Sequence, residues 1–363
     1  MLSERSRQVD SSGIRRVFDL AATLKDPINF SIGQPHFDVP DCVKQAAIDA
    51  INGGRNRYTQ TQGIPELREK ALALDRARTG TPNDAVIITS GASGGIMLAL
   101  MALLNPGDEV LIPDPYFVMY KHLTLLIGGV PKFVNTYPDF QLRAVEIEKL
   151  ITPKSKVLFI CTPANPTGAV TDGANLKDIA DLAARHGLLV ISDEIYHHFS
   201  YDAPPASIAG MYPGTLLLNG LSKSAAMTGW RLGWAIGPDE LVKEMIKLQQ
   251  YSFVCAPSMT QYGAMAALDF DVSGHIADYR RKRDRLCNAL SAKYEIVKPG
   301  GAFYMFPKAP GCGGAEFAEK AVKNNLLVVP GNVFSQSDTH FRISYAASDA
   351  TIERGIEVLL KIA

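Results

Sequence analysis

From about Asn83 to Gly237 the chain alternates short apolar runs, rich in Val, Ile and Leu, with longer segments whose apolar positions recur at helical spacing. This alternation predicts a parallel sheet covered on both faces by helices. The runs read as strands begin at Ala85 (AVIIT), Glu109 (EVLIP), Lys156 (KVLFIC), Leu188 (LLVISD), Thr215 (TLLLN) and Leu232 (LGWAI). Between them, Gly94 to Leu104 reads as a largely buried helix stopped by Asn105-Pro106-Gly107, and Asp172 to His186 as an amphipathic one ended at Gly187. After a charge-rich helical stretch, Gly274 to Lys293, the pattern turns to short runs at Tyr294-Glu-Ile-Val, Gly301-Ala-Phe-Tyr-Met-Phe and Phe341-Arg-Ile-Ser-Tyr. The expected fold is therefore α/β: a large domain with a doubly wound, mostly parallel sheet over residues 42–272, and a smaller α+β domain from residues 1–41 and 273–363. There is no internal repeat or low-complexity stretch.

Composition narrows the function. The 363 residues suffice for two domains, and 47% hydrophobic with 20% charged residues is ordinary for a globular protein. With 37 basic and 37 acidic side chains the formal net charge is zero, so the positive field that non-specific nucleic-acid binding needs is missing and a small-molecule partner is expected. The longest apolar run, Ile96 to Leu104, is too short for a membrane span, and no apolar segment follows the charged N-terminus. A cytoplasmic protein without membrane association is expected. Cys42, Cys161, Cys255, Cys287 and Cys312 are scattered and lack metal-type spacing, so they read as reduced thiols and no metal site is expected.

In doubly wound sheets ligands gather beyond the carboxyl ends of the strands, so polar residues just after apolar runs are the place to search for chemistry. Four such ends stand out: Ser90-Gly-Ala-Ser-Gly-Gly, Thr162-Pro-Ala-Asn-Pro-Thr-Gly, Ser192-Asp-Glu-Ile-Tyr and Asn219-Gly-Leu-Ser-Lys. Each alone has a plain explanation. A Gly-rich turn opening a helix suits an anion but is common, Asp193 could be a helix cap, and a lone lysine is usually solvated. Their appearance together at successive strand ends is what points to a site.

The segment Asn219-Gly-Leu-Ser-Lys-Ser-Ala-Ala-Met-Thr-Gly-Trp-Arg-Leu-Gly resembles the cofactor-lysine segment of class I/II aminotransferases of fold type I, with Arg231 eight positions after Lys223. The resemblance runs nearly end to end, through Ile32-Gly-Gln-Pro-His-Phe, Arg57-Tyr-Thr-Gln-Thr-Gln-Gly, Asn165-Pro-Thr-Gly, Asp193-Glu-Ile-Tyr, Gly301-Ala-Phe-Tyr and Phe341-Arg-Ile-Ser-Tyr in the family's order. It implies an enzyme that uses pyridoxal 5'-phosphate to move an amino group from an L-amino acid to a 2-oxo acid by a ping-pong mechanism, within a homodimer whose subunits share active sites. The same motifs would also serve a carbon–sulfur β-lyase, the alternative carried forward.

Residue by residue, the resemblance implies that Lys223 holds the cofactor as a Schiff base and then shuttles the substrate Cα proton. Asp193 would pair with the pyridine nitrogen, and Asn165 and Tyr196 would hydrogen-bond the phenolic oxygen. The phosphate would be met by the backbone of Ala92 and Ser93, by Arg231, and by Tyr58 from the neighbouring subunit, and Ser222 would also contact the cofactor. Phe117 would stack on the ring, while Arg342 and the backbone of Gly33, with Asn165, would hold the substrate α-carboxylate. Asp114-Pro115 and Asn165-Pro166 match positions where relatives often have cis peptide bonds. Gly220 stands where many relatives carry Ser, so Gly220→Ser is expected to tighten cofactor binding by about 1 kcal/mol unless the backbone needs a positive φ. His197 and His198 read as helix-start or surface residues.

Substrate identity is less legible. Some relatives acting on acidic substrates have Lys where this chain has Ser93, which disfavours strict aspartate specificity. A broad or neutral/aromatic amino donor is expected, with Arg15 and Arg16 the candidates for any distal carboxylate.

Overall fold

The computed structural model describes residues 2–10, 13, 14, 17, 22 and 24–363. Arg15 and Arg16 lie outside the described residues. Twelve strands are described: β1 (Ile28–Asn29), β2 (Ala85–Thr89), β3 (Glu109–Asp114), β4 (Val130–Asn135), β5 (Ser155–Cys161), β6 (Leu189–Asp193), β7 (Thr215–Gly220), β8 (Gly233–Gly237), β9 (Tyr304–Met305), β10 (Leu326–Leu327), β11 (Val329–Pro330) and β12 (Phe341–Ser344).

Seven of them form the central sheet in the order β2-β8-β7-β6-β5-β3-β4. All neighbours are parallel except where β8 runs against β2 and β7. The strands are apolar on both faces because both faces are covered. Ile87, Ile112, Phe159, Ile191, Leu216 and Leu218 pack against the helices Gly91–Leu103, Val118–Ile127 and Asp239–Gln250. The alternate positions pack on the other side, Ile88 and Leu217 with the helices Pro65–Thr79 and Ser258–Ala267, and Leu158 and Val190 with Gly173–His186.

The expected doubly wound α/β class is thus observed, with every strand read from the sequence present in the large sheet. One was missed. β4 begins Val-Pro-Lys, and a proline inside an apolar run argues against a strand unless the strand lies at an edge, which is where β4 lies. The helix Gly173–His186 follows its sequence signals closely: Asp172 caps it by accepting from the Asn175 N–H at 2.8 Å, and Gly187 ends it at φ 61°.

In the C-terminal part, β11, β12 and β9 make a small antiparallel sheet, and β1 pairs with β10. The helices Ser273–Leu290, Gly314–Lys323 and Asp349–Ile362 cover these strands around a core of Phe30, Tyr279, Leu286, Phe303, Phe317 and Leu359. Tyr294-Glu-Ile-Val, expected as a strand, is irregular: the Tyr294 hydroxyl donates to the Leu359 carbonyl at 2.7 Å, tying this stretch to the last helix. No helix among the described residues is long and apolar enough to cross a membrane.

Candidate active site

The polar strand ends of β5, β6 and β7 converge on a cavity of about 360 Å³, roofed by the segment that carries Gly33 and closed at one side by β9 and β12. Of the residues singled out from the sequence, Gly33, Ala92, Ser93, Phe117, Asn165, Asp193, Tyr196, Ser222, Lys223, Arg231 and Arg342 all line it. Tyr58 does not: it is 86% exposed at the surface. Asp114-Pro115 and Asn165-Pro166 are both cis, as are Tyr137-Pro138 and Thr162-Pro163.

Lys223 lies just past β7, and its Nζ donates to the Gly33 carbonyl at 2.5 Å. Burial, with the positive charges of Arg342 and Arg231 nearby, pulls its pKa down to about 8, against the smaller opposing pull of Asp193. Asp193 ends β6 and is buried, which raises its pKa, while a hydrogen bond from the Tyr120 hydroxyl at 2.7 Å favours the ionised form. Its other oxygen accepts the Ile195 N–H at 3.3 Å.

Arg342, on β12, is 1% exposed. Its guanidinium donates to Asn165 Oδ1 at 3.0 Å and to the Ser31 carbonyl at 2.8 Å, and lies between the rings of Tyr304 and Phe334, 4.5 and 4.6 Å from their centroids. Among the described residues its Nε has no partner and it pairs with no carboxylate, so burial lowers its pKa against only the weaker opposing influence of Tyr304 and Tyr196. A buried cation with an unused donor and no counter-charge is a site for an anion that arrives from outside.

At the other end, the helix Gly91–Leu103 points its N-terminus into the cavity. Arg231 closes over it from a left-handed backbone position, φ 55°, donating to the Thr228 carbonyl at 3.0 Å. A Cβ on Gly91 would stand 2.8 Å from the Arg231 guanidinium, so glycine is what lets cation and helix start share one small space. Orphan N–H groups, a helix dipole and an arginine together suit a phosphate.

Sequence reasoning missed Tyr120 and gave Tyr304 no role. Tyr120 follows Phe117 by one helical turn, and that spacing was the available signal that both face one way. Its ring stacks on Phe159 at 4.4 Å. Cys161 also lines the cavity, but burial pushes its thiol up to about 12.

Beneath this floor lies a buried ionic cluster. Asp75, on the helix Pro65–Thr79, accepts from Asn219 Nδ2 at 3.0 and 3.1 Å, from Trp234 Nε1 at 2.7 Å and from Arg78 at 2.7 Å. Arg78 also pairs with Glu194 at 2.7 Å. His197, which opens the short 3-10 helix His197–Phe199 as expected, also joins this region, its Nδ1 lying 3.0 Å from the Glu194 carbonyl, and burial drives its pKa well down, while His198 is exposed. No group of metal-ligand type is present among the described residues.

Known proteins resemble this chain over its length. The family model for aminotransferase class I and II matches residues 25–359. A probable aspartate aminotransferase of Methanocaldococcus jannaschii is 38% identical, with 100% of each chain covered. Aromatic-amino-acid aminotransferase 2 of Thermococcus litoralis is also 38% identical, over 99% of this chain and 98% of the relative. The aspartate aminotransferase of Thermus thermophilus, solved with maleate, superposes with a TM-score of 0.95 at 33% identity, each chain covered in full. These names favour amino-group transfer over the carbon–sulfur lyase alternative. The chain belongs to the class I and II aminotransferases and is an enzyme that transfers amino groups between amino acids and 2-oxo acids.

Proposed function

We propose that the cavity binds pyridoxal 5'-phosphate through Lys223 and transfers the amino group of an L-amino acid to a 2-oxo acid. When bound, the cofactor supplies an aldehyde for the lysine amine and an electron sink for electrons released at the substrate Cα. The observation that carries the reading is the convergence, in one cavity, of a lysine with its pKa lowered to about 8, a buried carboxylate at Asp193, and the buried guanidinium of Arg342, which has no carboxylate partner among the described residues.

Each residue then has a task its surroundings suit. A pKa near 8 leaves part of the Lys223 population neutral and nucleophilic at physiological pH, and lets the same Nζ take a proton from the substrate Cα. Asp193 holds the pyridine nitrogen protonated, with Tyr120 fixing its carboxylate. Tyr196 and Asn165 serve the phenolic oxygen, and Phe117 the ring face. Ala92, Ser93, Ser222 and Arg231 receive the phosphate. Arg342 grips the substrate α-carboxylate with the help of Gly33 and Asn165, orienting the Cα–H bond. Tyr58 serves the site of a second subunit in a homodimer. Residues 42–272 form the large domain, with residues 1–41 and 273–363 as the smaller one.

The cavity lining also includes Ile14 and Ile32, which favours amino donors with apolar or aromatic side chains. The test has two parts. Purified chain mixed with pyridoxal 5'-phosphate should become coloured, and borohydride should fix the cofactor on Lys223. In a separate, unreduced sample, an amino acid alone should discharge the colour and release its 2-oxo acid without ammonia. A colourless mixture or an unmodified Lys223 refutes the proposal, and a panel of donors ranks the substrates.

A further inference from the structure

The Gly301-Ala-Phe-Tyr motif ends in a residue to which the reading above gives no task, yet Tyr304 touches three parts of the site. It is 1% exposed. In the register of β9 with β12, Tyr304 pairs with Ser344, which sets Arg342 diagonally beside it on the same face. The ring of Tyr304 therefore lies under the Arg342 guanidinium, 4.5 Å from its centre. Its hydroxyl is 2.9 Å from the hydroxyl of Tyr196. The same oxygen sits 2.9 Å from where a Cβ on Gly33 would be.

Two phenols in contact hold two protons, and only one can lie between them. Tyr196 and Tyr304 have no other side-chain hydrogen-bond partner among the described residues. If the Tyr196 proton goes to an acceptor in the cavity, the proton between the rings must come from Tyr304. A hydroxyl that accepts one hydrogen bond donates a stronger one, because each bond polarises the next.

We infer that Tyr304 is a positioning residue that donates its hydroxyl proton to Tyr196 and so commits the Tyr196 proton to the cavity, toward the phenolic oxygen of the proposed cofactor. This rests on the reading above and deepens it. The charged and titratable groups facing the pair are Arg342, Cys161 and, over the Tyr196 ring at 5.7 Å, the Lys223 ammonium. Arg342 favours an ionised phenol and Cys161 opposes it, but burial dominates and holds both tyrosines protonated at neutral pH. The pair therefore acts by orienting neutral O–H groups rather than by carrying charge.

The test is a spectroscopic pH titration of the resting holoenzyme, reading the chromophore of the cofactor–lysine linkage. Tyr304→Phe keeps the ring under Arg342 and removes only the hydroxyl, so KM for the amino acid should stay within about twofold of the parent. The chromophore pKa should rise by roughly 0.5 unit, since a phenolic oxygen less well served by Tyr196 leaves the linkage more basic. Tyr196→Phe should raise it further, and adding Tyr304→Phe to that variant should change nothing more, because Tyr304 acts only through Tyr196. An unshifted titration in Tyr304→Phe, or an equal shift in both backgrounds, overturns the inference while leaving the cofactor reading intact. A parent protein with no chromophore on Lys223 overturns both.

Discussion

Replacing Asp75 by Asn should destabilise the fold far more than its distance from the cavity suggests. Asp75 is 3% exposed, and its two oxygens accept hydrogen bonds from three side chains. Oδ1 faces Arg78 and Asn219, while Oδ2 faces Asn219 and Trp234. An Asn of the same shape has one acceptor and one NH2, so whichever way it turns, a donor is aimed at donors. Turned toward Trp234, it orphans a buried indole N–H; turned toward Arg78, it meets a cation that retains only Glu194. Losing hydrogen bonds to a charged acceptor and leaving one donor unsatisfied costs about 3–5 kcal/mol. The control is Lys177→Met, which breaks the exposed helical pair with Asp181 and should cost no more than about 0.5 kcal/mol. Urea unfolding of the two variants beside the parent checks both numbers. A loss below about 1 kcal/mol for Asp75→Asn would refute the argument that this carboxylate ties β7 and β8 to one helix.

Gly220→Ser, expected from sequence to aid cofactor binding, should instead cost about 1–3 kcal/mol in thermal or urea unfolding and bring no gain in cofactor affinity. Its φ is not positive, but an added Cβ would lie 2.9 Å from Gly233 Cα and 3.0 Å from the Leu232 carbonyl, both rigid backbone on the neighbouring strand. In the cofactor-free chain, reductive alkylation of Lys223 should rise with pH through a midpoint of about 8 rather than the usual 10.5. The linked effect on stability has the same sign: between those values the unfolded chain holds a proton that the folded one lacks, so cofactor-free stability should increase with pH across that window. Arg342→Lys should lower kcat/KM for amino and 2-oxo acids at least about 100-fold, because a point charge cannot replace a planar donor set held between two rings; near-parent activity would sink the clamp. Gly33→Ala should reduce kcat/KM while leaving urea stability within about 1 kcal/mol, since the new methyl would press on the Tyr304 hydroxyl and approach Arg342 at the mouth of the cavity.

The parts of the fold legible in the sequence were those where one local pattern has one physical meaning. Strands such as Val157–Ile160 and Val190–Ile191, buried on both faces, had to be apolar throughout, and the polar residues that follow had to lie at the strand ends. The site followed from that, because Asn165, Asp193 and Lys223 each come just after such a run. Strand direction left no trace: β8 has the same apolar run as its parallel neighbours, and its connection to β7, residues 221–232, is long enough for a parallel crossover. Tyr120 reads as one more core aromatic on a helix, since a hydrogen bond across the sheet to Asp193 has no local signature. Adjacent Asp193 and Glu194 were likewise indistinguishable as carboxylates. The pleat turns them to opposite sides, Asp193 toward the cavity and Glu194 toward Arg78, where Ser192 and Ser207 also donate to it.

That difference between neighbouring acids bears on why the cavity must bind charged guests. Glu194 and Asp75 have their counter-charge built in, since Arg78 meets both. Asp193, by contrast, is met by a neutral phenol and feels the positive charge of Lys223, and Arg342 has no carboxylate partner among the described residues. A buried charge left in that state is costly, and the fold tolerates it where a ligand completes the pairing. On the proposed reading the pyridinium nitrogen answers Asp193 and the substrate carboxylate answers Arg342, so each unmatched buried charge corresponds to one charged group of the guests, while the cofactor phosphate meets the exposed Arg231. Cofactor should then raise the unfolding temperature with the logarithm of its excess over Kd, and a substrate-like dicarboxylate should raise it further only in protein that keeps Arg342. Equal stabilisation of the Arg342→Met variant by the dicarboxylate would mean that this guanidinium is not where the carboxylate binds.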